Sequence, residues 1–162
     1  MAVDAFLKLG DLKGESQKEG FEDQIEVLSW NWGASQSGTT HEGSGSGAGK
    51  VNVQDMSFAH YVDTSSANVL KACCAGIHFP EAILTLRKAG GDNPLDYLII
   101  TLNDIIVTSF SVGGSGGEDR NVENFTLNFG RFKYAYQPQD EKGAKSGGAI
   151  EYEGNIATGK FA

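Results

Sequence analysis

Proline is scarce in this sequence, at 3 among 162 residues, and cysteine is scarcer still, at 2. So little proline argues against a Pro-rich, low-complexity or collagen-like chain. Cys73 and Cys74 are adjacent. On a helix, neighbouring side chains point about 100° apart, and such a pair cannot bridge without distorting the backbone. No disulfide framework is expected; the two are read as small, reduced, largely buried residues. Their spacing is not that of a Cys-x-x-Cys redox motif. Long apolar runs are also missing, so no segment reaches transmembrane length and direct membrane insertion is not expected. The first ten residues lack a positive region followed by an unbroken apolar stretch, and the expectation is synthesis and folding in the cytoplasm. Basic clusters are absent too. The longest is Arg87-Lys88, and the formal net charge is −8. A nucleic-acid partner, which calls for a basic stripe, is disfavoured.

What is present describes a β-rich domain. Hydrophobic residues make up 40% of the chain, enough for one globular core, and the expectation is a single domain over residues 1–162. The 22 glycines sit mostly in short clusters between apolar runs, the pattern of many turns. Val3, Ala5, Leu7 and Leu9 alternate with Asp4, Phe6 and Lys8, predicting a first strand. On residues 24–32, Leu28, Trp30 and Trp32 share one face and Ser29 and Asn31 the other, which predicts one packed and one wet side. Residues 37–49 hold no apolar residue except Ala48 and predict a long flexible loop, of the kind that often carries function. Strand character resumes at Val51, with an irregularity expected near Gln54 and Asp55.

One helix is predicted over residues 67–75, with Asp63 or Thr64 as N-cap, Gly76 just past its end, and Val69, Leu70, Cys73 and Cys74 as the apolar stripe. Strands follow over 82–88 and 96–112, where the change of phase at Asp104 predicts a bulge. Phe125, Leu127 and Phe129 then alternate cleanly with Thr126 and Asn128. After Gly130 the phase flips, and Phe132, Tyr134 and Tyr136 take over the apolar face. A glycine at the flip suits a bulge or barrel corner. The fold class is mainly β: a small barrel of two tightly packed sheets with one flanking α-helix. Trp30, Trp32, Phe125, Leu127 and Phe129 are the predicted core.

Catalytic patterns are missing. The stretch from Gly43 to Lys50 departs from the phosphate-loop pattern, with Ser44 where its first glycine belongs and Val51 after the lysine. His41, His60 and His78 show no metal-ligand spacing; each is read as a surface or hydrogen-bonded histidine, and His60→Gln is expected to leave folding near normal. No Gly-x-Ser-x-Gly elbow occurs, and Glu118-Asp119 after a glycine loop reads as a solvated turn. No enzyme activity, cofactor or metal is expected.

Several segments, in order, resemble one family. They are Met1-Ala2-Val3-Asp4 with Leu9-Gly10-Asp11 and Lys13-Gly14-Glu15-Ser16, then Trp30-Asn31-Trp32-Gly33 with Ser35-Gln36-Ser37-Gly38. Lys50-Val51-Asn52-Val53-Gln54-Asp55, Arg87-Lys88-Ala89-Gly90-Gly91, Gly113-Gly114-Ser115-Gly116-Gly117-Glu118-Asp119-Arg120 and Tyr136-Gln137-Pro138-Gln139 complete the set. Along essentially the whole chain they resemble the haemolysin-coregulated (Hcp) family of type VI secretion systems. The resemblance implies a compact β-barrel with one helix, related to phage tail tubes, whose copies form homohexameric rings that stack into a tube. It implies as partners a contractile sheath, a spike protein and small effector proteins in the lumen. It also implies secretion to the extracellular space or a target cell without a signal peptide. A free ring acting as effector carrier is the alternative reading; a stand-alone secreted binding module is disfavoured for want of a signal. On this reading the loop carrying Ser37, His41, Glu42, Gly43, Gly45, Gly47 and Gly49 is the expected ring-stacking element, and Ser29 and Asn31 are the expected lumen-facing residues.

Overall fold

The computed structural model describes residues 3–38, 48–88 and 94–162. The alternating N-terminal residues form β1 (Val3–Leu9), which pairs antiparallel with β7 (His78–Lys88). Its second edge meets β2 (Ile25–Glu26). The crossing segment that continues from β2 into β3 (Ser29–Asn31) bridges the two ends of the sheet. Val27 N–H donates to Ala5 O at 2.9 Å, and Leu28 N–H donates to Ala59 O at 2.8 Å. Residues 25–31 thus lie between β1 on one side and β6 (Met56–Tyr61) on the other. The strand order is β2-β1-β7-β8-β9-β6-β3, through β8 (Leu95–Gly113) and β9 (Val122–Tyr136), and β10 (Ile150–Asn155) adds to β9. This is the curled, mainly β architecture that the alternation predicts.

The long β8–β9 ribbon organises the core. On β8, Leu98, Ile100 and Leu102 are buried, and then Ile105 and Val107; on β9, Phe125, Leu127 and Phe129 are buried, and then Phe132. Both strands therefore change phase at one level, where Asp104 faces Gly130. The register runs unbroken from Leu102↔Phe132 to Ile105↔Phe129. Two offsets of one residue cancel, so the sheet bends while its apolar side stays inward. Asp104 takes φ 57°, a left-handed conformation that side chains other than glycine seldom adopt. A Cβ on Gly130 would sit 3.4 Å from Asp104 Cβ. The register shift itself falls between Val107 and Ser109 rather than at Asp104.

Inward rows cross the sheet strand by strand. Leu7, Leu84, Ile100, Tyr134 and Tyr152 form one row, and Ala5, Leu86, Leu98, Tyr136 and Ile150 form the next. The polar face of β1 is not wholly wet. Phe6 stacks on Phe21 with centroids 4.4 Å apart, and the Arg87 guanidinium lies 4.4 Å over that second ring. Residues 13–24 are thereby strapped across β1 by one aromatic side chain.

The helix α1 (Ser66–Ala75) starts later than Asp63 or Thr64 would place it. Ser65 is the N-cap residue and makes no side-chain cap bond. Asp63 instead accepts from Ser65 N–H, holding the turn that leads in. Gly76, at φ 64°, ends the helix and returns its N–H to Ala72 O, as expected. The buried face is Val69 and Ala72, with Cys73 packed beside them, while Leu70 and Cys74 are exposed. The i, i+3, i+4 face meets β8, so the stripe is rotated from the predicted one. Both cysteines are free.

The core supplies a stability test. Phe125 is fully buried between Phe58 and His60, whereas Glu118 is exposed in a turn. Phe125→Ala is expected to lower unfolding free energy by about 3–5 kcal/mol, and Glu118→Gln to leave it within about 0.5 kcal/mol. Denaturant melts of both variants against the wild type check this.

Candidate functional surfaces

Ser29 and Asn31 are exposed and occupy the outer face of β3. The ladder continues each of them across the sheet. Ser29 aligns with Ala59, Asn124 and Ser111; Asn31 aligns with Ser57, Thr126 and Ser109. These two rows carry small hydroxyl, amide and methyl groups and no charge. Thr126 Oγ1 lies 2.6 Å from Ser109 Oγ and 2.7 Å from Thr108 Oγ1. At the edge of the strip the Asp55 carboxylate accepts from Thr108 Oγ1 and Asn128 Nδ2, both at 2.8 Å. On the inner side, Trp30 and Trp32 are partly buried against the core. Trp32 sits edge-on to Phe129 and Phe132 and donates from Nε1 to Gln54 O at 2.9 Å. Leu28, grouped with these tryptophans by parity, is 50% exposed. The alternation slips where the segment passes from β1 to β6.

The segment predicted as loop is partly a ribbon. Ser37 belongs to β4 (Ala34–Gly38) and Gly49 to β5 (Ala48–Val53), and the two strands pair antiparallel outside the main sheet. All five residues of β4 are exposed. His41, Glu42, Gly43, Gly45 and Gly47 lie outside the described residues. Between Val53 and Met56 the chain changes sheets at Gln54-Asp55, where the sequence pattern breaks.

A third surface was not legible in the sequence. The inward rows run past the core onto β10, where they are uncovered. Tyr134 and Tyr136 are each about two-fifths exposed, Tyr152 is 48% exposed and Ile150 is 66% exposed. They stand opposite one another as Tyr134↔Tyr152 and Tyr136↔Ile150. β9 carries β10 on the edge that β6 occupies further along, and the far edge of β10 has no strand partner among the described residues.

His60 was read as a surface or hydrogen-bonded residue, and the structure corrects this. It stands directly opposite Glu123 in the β6–β9 ladder, and both side chains are 1% exposed. Nε2 lies 2.6 Å from Glu123 Oε1, yet off the N–H direction, so neither ring nitrogen makes an aligned hydrogen bond. Nδ1 lies 3.8 Å from Asp63 Oδ2, and Ser66 Oγ donates to Glu123 Oε1 at 2.7 Å. Serine, histidine and carboxylate meet here, but Ser66 bonds the acid rather than the imidazole. With the acid and the imidazole both buried, a substrate has no approach. Among the described residues no three His, Cys, Asp or Glu are grouped to hold a metal, and no helix there is long and apolar enough to cross a membrane.

This curled antiparallel architecture, with a separate β4–β5 ribbon and a helix packed on β8, is shared with type VI secretion components. The family model described as "Type VI secretion system effector, Hcp" matches residues 6–136. Over 156 residues the chain is 57% identical to Protein hcp1 of Pseudomonas aeruginosa, covering 96% of each. Among solved structures it is similar to Hcp1 of Salmonella typhimurium, with a TM-score of 0.79, 36% identity and 99% of both chains covered. It is similar also to a type VI secretion system effector from Yersinia pestis, at TM-score 0.77 and 32% identity, covering 94% of this chain and 100% of that one. A structure described as a type six secretion system protein superposes at TM-score 0.91 with 29% identity, covering 98% of this chain and 99% of the other. The chain belongs to the Hcp family of type VI secretion system proteins, which are secreted components of that machine.

The His60–Glu123 pair has a testable cost. His60→Leu strands a buried carboxylate and is expected to cost about 3–5 kcal/mol. Adding Glu123→Met removes that charge and is expected to return most of the loss. A double-mutant cycle by thermal unfolding checks the non-additivity.

Proposed function

We propose that this chain is the structural subunit of the secretion tube, and that it acts by assembling rather than by catalysis. Copies join edge to edge into homohexameric rings, rings stack into a tube, and contraction of a surrounding sheath expels the tube beneath its spike. Small effectors ride inside. The observation that carries this reading is the uncovered margin of β9 and β10. There the inward rows continue as Tyr134, Tyr136, Ile150 and Tyr152, beside a strand edge with no partner among the described residues. An apolar face next to a free edge calls for a neighbouring protein surface, and a second copy in a closed ring supplies one at every subunit.

The two other surfaces fit the same assembly. The uncharged strip containing Ser29 and Asn31 suits a channel wall, because it offers hydrogen bonds to cargo without the long-range pull of charge. The β4–β5 ribbon lies outside the main sheet, with all of β4 exposed, and suits contact between successive rings. His60, Glu123 and Ser66 serve packing.

Tyr136→Glu combined with Ile150→Glu is expected to give a folded monomer. Light scattering and electron microscopy decide: rings formed as readily as by the wild type would sink the reading of this margin. Deleting residues 43–49 is expected to keep rings but abolish stacking and secretion. Normal secretion from that deletion would remove residues 43–49 from the mechanism.

A further inference from the structure

When more than two copies close into a ring, each contact joins one patch of a subunit to a different patch of the next. The margin of β9 and β10 is one such patch, and it lies on one flank of the β8–β9 ribbon. That flank carries β6, β3 and β10, all attached on the β9 side. The opposite flank is bare for a stretch. β7 reaches along β8 only as far as Ile106, opposite His78, whereas β8 runs on to Gly113. Among the described residues the β8 edge beyond Ile106 has no strand partner, and α1 packs on this strand.

On its outward side α1 is apolar where a solvated helix would be polar. Leu70 and Cys74 stand one turn apart there, Ile77 follows the Gly76 cap, and Val112 is exposed on the bare end of β8. The ten residues of α1 include no carboxylate, in a chain of formal charge −8, and Lys71 is their one charged residue. The margin has the opposite balance. On β10, Glu151 and Glu153 alternate with Ile150 and Tyr152. Among the described residues Lys133 alone pairs with these two carboxylates, at 3.1 and 3.9 Å.

We propose that the exposed face of α1, with the bare end of β8 beside it, receives the β9–β10 margin of a neighbouring copy of this chain. Tyr136, Ile150 and Tyr152 of one copy then cover Leu70 and Ile77 of the next. Lys71 comes to a pair of carboxylates that the single charge of Lys133 cannot balance. Because the two patches lie on opposite flanks of one ribbon, every copy offers one and fills the other, which is the condition for closure without a free end. The pairing also takes both exposed apolar patches out of water. This assignment rests on the ring reading and adds to it the surface that the margin meets.

A native side chain provides the test, since Cys74 is exposed on the receiving face. Ile150→Cys places a second thiol on the margin. Treating rings of the full-length variant with a short bis-maleimide is expected to give a covalent ladder that rises one subunit at a time and ends at the size of the ring. Adding Cys74→Ser is expected to abolish the ladder, and the wild type is expected to give none. Tyr152→Cys supplies an alternative margin thiol should Ile150→Cys fail to assemble. Separately, Leu70→Glu sits on an exposed face and is expected to keep the wild-type unfolding midpoint. It buries an unpaired charge in the contact and is expected to weaken ring formation at least about tenfold by light scattering. Wild-type rings whose margin-thiol variants give no ladder, or that Leu70→Glu leaves unweakened, would overturn α1 as the receiving face while the ring reading stands. A wild type that scatters as a monomer at every concentration would overturn both.

Discussion

The paired change of phase at Asp104 and Gly130 is the constraint on which the rest of the barrel depends. Side chains on a strand alternate with a period of two, so an offset in one strand alone would turn everything beyond it to the wrong face. Here both strands of the longest ribbon shift together. Leu102 and Phe132 lie inward below the bend, and Ile105 and Phe129 lie inward above it. A methyl group on Gly130 would stand 3.4 Å from Asp104 Cβ, already at van der Waals contact, so the two backbones meet closely here. The Gly130 carbonyl also accepts the N–H groups of Ile156 and Ala157, so the chain beyond β10 is pinned to the same spot. β7 and β1 build outward from one side of this ribbon, and β6 and β10 from the other.

Much of this fold was legible because it is local. Alternation placed β1 and β9, the glycine after Ala75 marked the end of α1, and the broken pattern at Gln54-Asp55 marked the change of sheet. The phase flips at Asp104 and Gly130 were each visible, but their cancellation was not, since register is a relation between two distant strands. The same limit hid the partner of His60. Glu123 is its direct cross-strand neighbour, and no spacing along the chain expresses that. The strap over β1 also escaped, because Phe21 sits in a polar stretch and acts only once Phe6 is opposite it. Among the surfaces, the wet side of Ser29 and Asn31 followed from alternation. The exposed margin did not, because Tyr134 and Tyr136 share the parity of the core and only the end of the sheet leaves them bare.

The outer face of the β8–β9 ribbon divides by charge. Toward the Asn31 end the rows are hydroxyls and amides, whereas beyond the bend they carry ion pairs. Lys133 approaches Glu151 at 3.1 Å, and Arg131 approaches Asp104 at 3.4 Å. These exposed pairs contribute little to stability, but they keep that half hydrated and unattractive to apolar partners. With a formal charge of −8 on every copy, contact between copies works against mutual repulsion. In the proposed assembly, apolar side chains at the margin of β9 and β10 would offset it without adding to the charge.

The arrangement of partners along β9 also sets how the subunit bears load. One edge of β9 is bonded to β8 for most of its length; the other is bonded first to β6 and then, end to end, to β10. Tension along its middle is carried in shear, by two rows of hydrogen bonds that must yield together. β10 is bonded on one edge and, pulled from its far end, would peel from Arg131 one bond at a time. That end is fastened to β9 by the Ile156 and Ala157 N–H groups on Gly130 O. The tail is tied back on itself by the bridge between Asn155 and Lys160 and by the Tyr152 hydroxyl donating to Phe161 O at 2.6 Å. The sheet is therefore held by two rows of bonds along β9 and by one along β10, the strand that carries Ile150.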